Sequence, residues 1–283
     1  MNMLHRTVRR LERLEKLDRL SKPLAAAVGR AVRPRTVRNL LSGTNLGHPL
    51  HPMLTDLPIG AWTMSLLLDT AGGPAAEPAA DLLVAVGAAA ALPTAASGLN
   101  DWADTVGPET RVGLIHATLN TGALSLYLAS LGARACSRRR LGRTLALAGF
   151  GTLLAGSYLG GHLSFVKGVN VNRTAYEERP GDWTQVTPEE GLAEGEHRKV
   201  SAGSEQVLLY RTAGQVYALS NTCSHMGGPL DEGTFADGCV TCPWHGSTFR
   251  LADGSIVRGP ASTPQPHYET RVQDGRIEVR SVS

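Results

Sequence analysis

Two short segments near the C-terminus each place a cysteine beside a histidine. Residues 223–225 read Cys-Ser-His, and residues 242–245, sixteen residues further on, read Cys-Pro-Trp-His. Thiolates and imidazoles are ligands of soft and borderline metals such as iron and zinc. A fold of this chain that uses both pairs must bring the two segments together around one metal centre.

Two kinds of metal centre use two cysteines and two histidines: a [2Fe–2S] cluster with imidazoles on one iron, and a structural zinc site. Zinc patterns usually pair cysteine with cysteine and histidine with histidine, whereas here each segment carries one of each. Gly227, Gly228 and Gly246 beside the ligands let backbone amides approach sulfur. The pattern favours the [2Fe–2S] cluster and leaves zinc as the alternative. The predicted ligands are Cys223, His225, Cys242 and His245.

The two segments read NTCSHMGGPLDEG and GCVTCPWHGSTFRLADG, and residues 259–261 read GPA. They resemble the Rieske ferredoxin and oxygenase-ferredoxin family, over roughly residues 183–281. The resemblance implies that the two cysteines hold the inner iron and the two histidines the outer, redox-active iron near the surface. It also implies that Gly259-Pro260-Ala261 covers the cluster and that the protein transfers electrons.

Two departures from the quinol-oxidising branch of that family bear on the redox potential. That branch adds a cysteine to each loop, but here Met226 or Gly227 and Trp244 take those positions, so no loop disulfide is expected. Ser247 retains one hydroxyl donor to the cluster sulfurs, whereas Phe249 has none. Fewer donors favour the oxidised form, which predicts a midpoint in the lower part of the Rieske range of roughly −150 to +300 mV.

Four stretches in the first part of the chain are poor in charge. Residues 82–100, 112–133 and 144–166 carry no charged side chain, and 57–68 form a shorter stretch bounded by aspartates. A membrane-spanning helix needs about 20 mostly apolar residues, and small residues allow close helix packing in lipid. The pattern predicts an all-α bundle of four transmembrane helices. A soluble four-helix bundle is the alternative.

Three segments here carry a second resemblance: TNLGHPLHPMLTDLPIGAW at 44–62, LIHATLN at 114–120 and GSYLGGHLSFVKGVNV at 156–171. They resemble an uncharacterised bacterial family of predicted four-helix membrane proteins. The resemblance implies membrane insertion and says little about chemistry.

Four histidines fall near one face of such a bundle. They are His48, His51, His116 and His162. Ionisable groups inside a membrane usually serve a function, so one expectation is a second redox site, either a haem b or a quinone pocket, with His116 and His162 as the better haem pair. The other expectation is a set of interfacial histidines that bond to backbone and headgroups.

The two ends of the chain differ in pattern. Leucines spaced by three and four among basic residues predict an N-terminal amphipathic helix, which lies on a membrane surface, packs against a partner or is solvated. After residue 182, short β-branched segments separated by Gly, Asp and Pro predict an all-β domain. The predicted multi-domain order is a basic amphipathic segment (1–43), a four-helix membrane domain (44–166), a linker (167–182) and a Rieske domain (183–283).

Charge is unevenly distributed. Residues 1–181 carry 20 Lys/Arg and 12 Asp/Glu, a net of +8, whereas residues 182–283 carry 8 and 13, a net of −5. The basic half suits membrane lipid, and no aromatic-interleaved basic face indicates nucleic acid. Eleven basic residues before His48 favour a cytoplasmic N-terminus. The predicted location is a multi-pass protein of the bacterial inner membrane with its Rieske domain in the cytoplasm.

These features together predict one-electron transfer between a soluble redox partner and a membrane donor or acceptor, either a protein or a quinone. Two other functions remain open. One is a ferredoxin-like component of an oxygenase or reductase system, and the other is a non-catalytic redox sensor.

Overall fold

The computed structural model describes residues 3–282, and their contacts form two units. The first unit comprises the residues up to Pro34 together with Pro49–Val169. The second comprises Arg35–His48 together with the residues from Asn170 onward. The domain bounds expected from the sequence stay a prediction, and the contacts add that Arg35–His48 groups with the C-terminal unit.

Residues 3–282 contain seven α-helices. They are α1 (Met3–Glu12), α2 (Asp18–Ala31), α3 (Arg35–Ser42), α4 (Leu50–Ala71), α5 (Glu77–Trp102), α6 (Pro108–Ala135) and α7 (Arg139–Gly161). Helix α7 continues into a short π-helix, His162–Val166.

Three helical segments are long and apolar enough to cross a membrane: Pro74–Trp102, Pro108–Ala135 and Arg139–Val166. Helix α4, expected as the first span, is not among them, since His51, Asp56 and two prolines interrupt its apolar residues. The predicted count of four spans is therefore not confirmed, while the helical N-terminal region with apolar spans is.

The core of the first unit is built around an aromatic pair. Trp62 on α4 stacks on Tyr127 on α6, with ring centroids 4.1 Å apart. Gly87 on α5 makes room for the indole, because a Cβ there would lie 2.4 Å from the Trp62 Nε1 atom. Small residues thus let a helix pack directly against an aromatic ring.

Ion pairs connect four helices at one end of this unit. The Arg134 side chain, only 2% exposed, pairs with Asp69, and its Nη1 lies 2.7 Å from Asp81 Oδ1. A buried guanidinium is tolerated only when carboxylates compensate its lost hydration. Arg139 Nη1 adds a second contact with Asp81 at 2.6 Å.

Helix α1 packs within the chain. Val8 is 2% exposed and lies in one apolar cluster with Val112 and Leu159. Helix α1 thus packs on α6 and α7 of the same unit, and its expected position on a membrane surface stays a prediction.

The second unit is β-rich, as expected. Residues 3–282 contain ten strands: β1 (Thr184–Pro188), β2 (His197–Ala202), β3 (Glu205–Thr212), β4 (Gln215–Ser220), β5 (Thr234–Ala236), β6 (Cys239–Thr241), β7 (Thr248–Arg250), β8 (Ile256–Arg258), β9 (His267–Gln273) and β10 (Arg276–Ser281). They form a six-stranded antiparallel sheet, β1-β10-β9-β4-β3-β2, and a four-stranded antiparallel sheet, β5-β6-β7-β8.

Strand β3 is covered on both faces, which explains its continuous apolar run. Val207 and Leu209 point into one core, and Leu208 between them points into another. The second core also contains Cys223 and Cys242. The two cysteines therefore lie directly on the hydrophobic core between the sheets.

Segment Arg35–His48 is bound to the C-terminal unit by hydrogen bonds. Asn39 Oδ1 accepts from Gly259 N at 2.8 Å, and Thr44 Oγ1 donates to Ala261 O at 2.9 Å. Both bonds go to residues 259–261, which the family resemblance predicts to cover the metal centre.

Candidate metal centre

The two metal-binding segments adopt the same turn. In the first loop (Cys223–Gly228), Cys223 N donates to the carbonyl of the residue five positions on at 2.9 Å. In the second loop (Cys242–Ser247), Cys242 N does the same at 2.8 Å. The fifth residue of each loop, Gly227 or Gly246, has a φ of +81° or +73°, a conformation that favours glycine.

The matched turns bring like ligands together. The Cys223 and Cys242 thiols interact with each other, and this interaction raises the pKa of Cys223 and lowers that of Cys242 to about 7. The rings of His225 and His245 lie with centroids 5.1 Å apart and planes at 87°. Gly228 permits the thiol contact, because a Cβ there would lie 2.7 Å from Cys242 Sγ.

This pairwise arrangement fits a two-iron cluster. Each iron of a [2Fe–2S] centre takes two protein ligands, so two thiols on one side and two imidazoles on the other suit it. A single zinc ion would draw all four ligands to one point. Among residues 3–282, no three His, Cys, Asp or Glu side chains converge as ligands of one metal ion.

The two histidines differ in exposure. His225 is only 7% exposed, whereas His245 is half-buried and its neighbour Trp244 is 56% exposed. The sequence placed both histidines near the surface. The structure instead leaves His245 as the more accessible of the two.

Two arginines act electrostatically on the buried histidine. Burial lowers the pKa of His225 to about 3, with smaller contributions from His245, Arg38 and Arg173. The imidazole is therefore neutral at physiological pH and able to bind a metal. Arg38, on α3, is itself buried.

Buried polar side chains fix the two loops in place. Gln265 Nε2 donates to Ser220 O and Thr222 O, and its Oε1 accepts from Ser224 N at 2.9 Å. Ser247 Oγ accepts from Ala261 N at 3.0 Å, which joins the second loop to residues 259–261.

Sequence reasoning missed Gln265, Arg38 and Asn39. Their residue types are common in many roles, and none lies within either cluster loop. One contact to the first loop comes from the polar segment that precedes strand β1. Arg173 N in this segment donates to Ser224 O at 3.0 Å.

The four histidines indicated as a second site are distributed differently from expectation. His116 faces His51, with ring centroids 6.4 Å apart and planes at 84°. His162 binds Glu12 instead, with Nε2 3.1 Å from Oε1. His48 lies in the turn before α4 and groups with the C-terminal unit.

Comparisons with known proteins identify both parts of the chain. Residues 182–273 match the model of the Rieske [2Fe–2S] domain, and residues 47–173 match a family described as "Predicted membrane protein (DUF2231)". Ferredoxin CarAc of Metapseudomonas resinovorans is 31% identical over 98 residues, which are 34% of this chain and 92% of that protein.

Two further matches cover the same part of the chain. Apoptosis-inducing factor 3 of Mus musculus is 31% identical over 90 residues, 32% of this chain, and the chain spans only 15% of that relative's length. The solved ferredoxin of carbazole 1,9a-dioxygenase from Nocardioides aromaticivorans IC177 is 28% identical, with 35% of this chain and 96% of that chain covered and a TM-score of 0.33. Through residues 182–273 the chain belongs to the Rieske [2Fe–2S] family, whose domain implies a [2Fe–2S] cluster, and it joins this domain to a predicted membrane domain of the DUF2231 family.

Proposed function

We propose that this protein is a membrane-anchored electron carrier. Cys223 and Cys242 are the ligands of the inner iron, and His225 and His245 are the ligands of the outer iron. The observation that supports this assignment is the separation of the four side chains into a thiol pair and an imidazole pair. When bound, the cluster takes up and releases one electron at a time.

The partner docks at His245. This imidazole is the more accessible ligand, and the exposed indole of Trp244 lies beside it, with ring centroids 6.4 Å apart. Exposed tryptophans are frequent anchors of protein interfaces. Trp244 therefore serves as the contact for a soluble redox partner.

The helical unit anchors the carrier in the membrane. Helix α4 joins the three apolar segments as a fourth span, with its aspartates near the ends or paired, as Asp69 is with Arg134. The protein lies in the bacterial inner membrane with its Rieske domain in the cytoplasm. The membrane-side donor or acceptor is a haem b, a quinone or another protein.

A second function rests on the ferredoxin likeness. CarAc is a ferredoxin of nearly the same length as the matched segment, which favours a ferredoxin-like role in an oxygenase or reductase system. Fast reduction by a ferredoxin reductase, without exchange with quinol, would favour this role. Slow exchange with both, accompanied by a change in helix packing, would favour a redox sensor.

Electron paramagnetic resonance of the anaerobically purified full chain tests the ligand assignment. The reduced wild type should show the rhombic signal of a binuclear centre. Cys242→Ser and His245→Ala should each lose it, because each removes a ligand. Cys239→Ser is the matched control, since Cys239 lies three residues before Cys242 but on strand β6. Zinc without iron in the wild type would refute the assignment.

Rapid mixing tests the docking surface. Trp244→Ala should slow reduction by the soluble partner about tenfold while the cluster signal and the midpoint potential stay unchanged. An unaltered rate would show that the partner approaches elsewhere.

A further inference from the structure

The membrane unit is built from two equivalent hairpins, α4–α5 and α6–α7. Matched residues on the first helix of each hairpin lie sixty-five positions apart in the sequence. They are His51 and His116, Trp62 and Tyr127, Ser65 and Ser130, and Asp69 and Arg134. Matched residues on the second helices lie sixty-two positions apart. They are Ala80 and Gly142, Gly87 and Gly149, Thr94 and Gly156, and Gly98 and Gly160.

The matched residues make matched contacts inside each hairpin. Ser65 Oγ donates to Ala80 O at 2.9 Å, and Ser130 Oγ donates to Gly142 O at 2.7 Å. The two hairpins therefore share this serine-to-backbone contact, although their sequences have few identical residues.

The two matched histidines also make matched contacts with the second helix of their hairpin. His51 Nδ1 lies 2.9 Å from Thr94 O, and His116 Nδ1 lies 2.8 Å from Gly156 O. Each ring rests against a glycine one turn further along the second helix. A Cβ on Gly98 would lie 2.6 Å from the His51 ring, and one on Gly160 would lie 2.9 Å from the His116 ring.

Matched residues of the two hairpins also face each other, which defines a pseudo-twofold axis. Trp62 stacks on Tyr127, and Asp69 pairs with Arg134. His51 and His116 form the third such pair, with the two rings edge to face and their centroids 6.4 Å apart. All three matched pairs thus meet at the axis, and the histidine rings are spaced more widely than the stacked Trp62 and Tyr127 rings.

The Nε2 atom of each ring is the candidate ligand. A carbonyl at Nδ1 fixes the proton on that nitrogen, so the Nε2 lone pair lies on the other side of the ring. This bond to a backbone carbonyl is the one that metal-binding histidines usually make. The Asn120 amide nitrogen lies 3.3 and 3.4 Å from the two nitrogens of His116 and donates to the backbone oxygen of that residue, so a ligand at His116 Nε2 would replace the longer of these two ring contacts.

Distance and ligand number together select the occupant. Two imidazoles on opposite sides of one metal, with metal–nitrogen bonds of about 2.0 Å, have ring centres roughly 6 Å apart. A bare zinc or iron ion needs further protein ligands, and among the described residues no third His, Cys, Asp or Glu joins this pair. A haem supplies four ligands of its own and needs only two axial ones.

We propose that His51 and His116 are the axial ligands of one haem on the pseudo-twofold axis of the membrane unit. This inference deepens the proposed function, since the haem is then the membrane-side electron carrier, but the site itself does not depend on the cluster. It replaces the His116–His162 pair expected from the sequence, because Glu12 already binds His162.

Absorption spectroscopy of the full chain, purified in detergent from cells supplied with a haem precursor, tests the proposal. The wild type should show a low-spin Soret band and one haem per chain. His51→Ala and His116→Ala should each lose the haem or convert it to a high-spin form. His162→Gln is the matched control and should keep the low-spin spectrum.

Cys242→Ser separates this proposal from the function of the cluster domain, because it should remove the binuclear signal and leave the Soret band intact. If the alanine variants do not fold, near-infrared magnetic circular dichroism of the wild type still identifies bis-histidine ligation. A wild type with an intact cluster but without haem, even after addition of hemin, would overturn the proposal. Bound quinone without haem, or unchanged spectra in folded alanine variants, would overturn it as well.

Discussion

Arg38 is a buried residue whose charge acts on a candidate cluster ligand. It belongs to α3, more than 180 positions before His225, yet it lowers the pKa of that histidine. A positive charge near a redox centre stabilises the reduced form, which carries one more electron. Arg38 therefore counteracts the low potential that Phe249 favours.

Arg38→Gln is expected to lower the midpoint potential of the cluster by on the order of 50 mV, because a nearby positive charge is lost. Redox titration followed by electron paramagnetic resonance measures the shift. Arg38→Lys should retain most of the wild-type potential, and Arg276→Gln, an exposed change on strand β10, should have no effect. A potential equal to that of the wild type in Arg38→Gln would refute this role.

The ligands and their supports differ in how far the sequence reveals them. Cysteine and histidine at short spacing have few chemical uses, so the four ligands could be proposed from the pattern alone. Gln265 and Arg38 reach the loops from distant segments, and nothing local marks them. Their positions follow only from the fold, which brings residues 35–48 and 265 to the loops.

At the scale of elements, the Glu12 carboxylate contributes to the docking of helix α1. Glu12 Oε1 lies 3.1 Å from His162 Nε2 and 2.9 Å from Lys167 Nζ. Burial raises the pKa of Glu12, but the hydrogen bonds from Lys167 and His162 outweigh this effect and lower it overall. The carboxylate is thus more stable as an ion when α1 is docked than when it is free.

This shift predicts the pH dependence of α1 docking. A carboxyl group with a lowered pKa contributes stability that is complete above its ordinary value of 4.5 and is lost as the pH falls through the lowered value. Glu12→Gln should reproduce the loss at pH 7, at about 1 kcal/mol. Hydrogen-exchange protection factors of α1 measure it, and Glu15→Gln, at an exposed neighbour, is the control. Equal protection in Glu12→Gln and wild type would contradict the prediction.

The sequence predicts a helix or strand correctly where one residue property, such as the absence of charge, continues along the whole segment. The charge-free stretches mark α5, α6 and α7, and the β-branched segments mark the sheets. The repeat of the two hairpins was hidden, because Trp62 matches a tyrosine and Asp69 matches an arginine. The docking of α3 was hidden too, since it depends on hydrogen bonds from Asn39 and Thr44 to backbone groups more than 200 positions away.

At the scale of the whole molecule, the arginines near the α6–α7 turn complicate the assignment of membrane orientation. Five basic residues lie there, against twelve in the N-terminal tail and the first turn of α6. Three of the five are paired with acidic side chains: Arg134, Arg139 and Arg143 contact Asp69, Asp81 or Glu77. Their presence is explained by the buried ion pairs of the first unit, which leaves the basic N-terminal tail as the main topological signal.

With four spans and a cytoplasmic N-terminus, the α6–α7 turn faces the outside. Cys136, exposed in that turn, should then react with a membrane-impermeant maleimide in intact cells. Labelling of intact cells should vanish in Cys136→Ser. Cys239 remains in this variant, but it lies in the cytoplasmic Rieske domain and should react only after the membrane is opened. Arg13→Cys in the Cys136→Ser background tests α4: with four spans this tail cysteine is protected in intact cells, whereas with three spans it is labelled from outside. Labelling of Cys136 only in opened membranes would reverse the orientation, because a turn that faces the cytoplasm is shielded from the reagent.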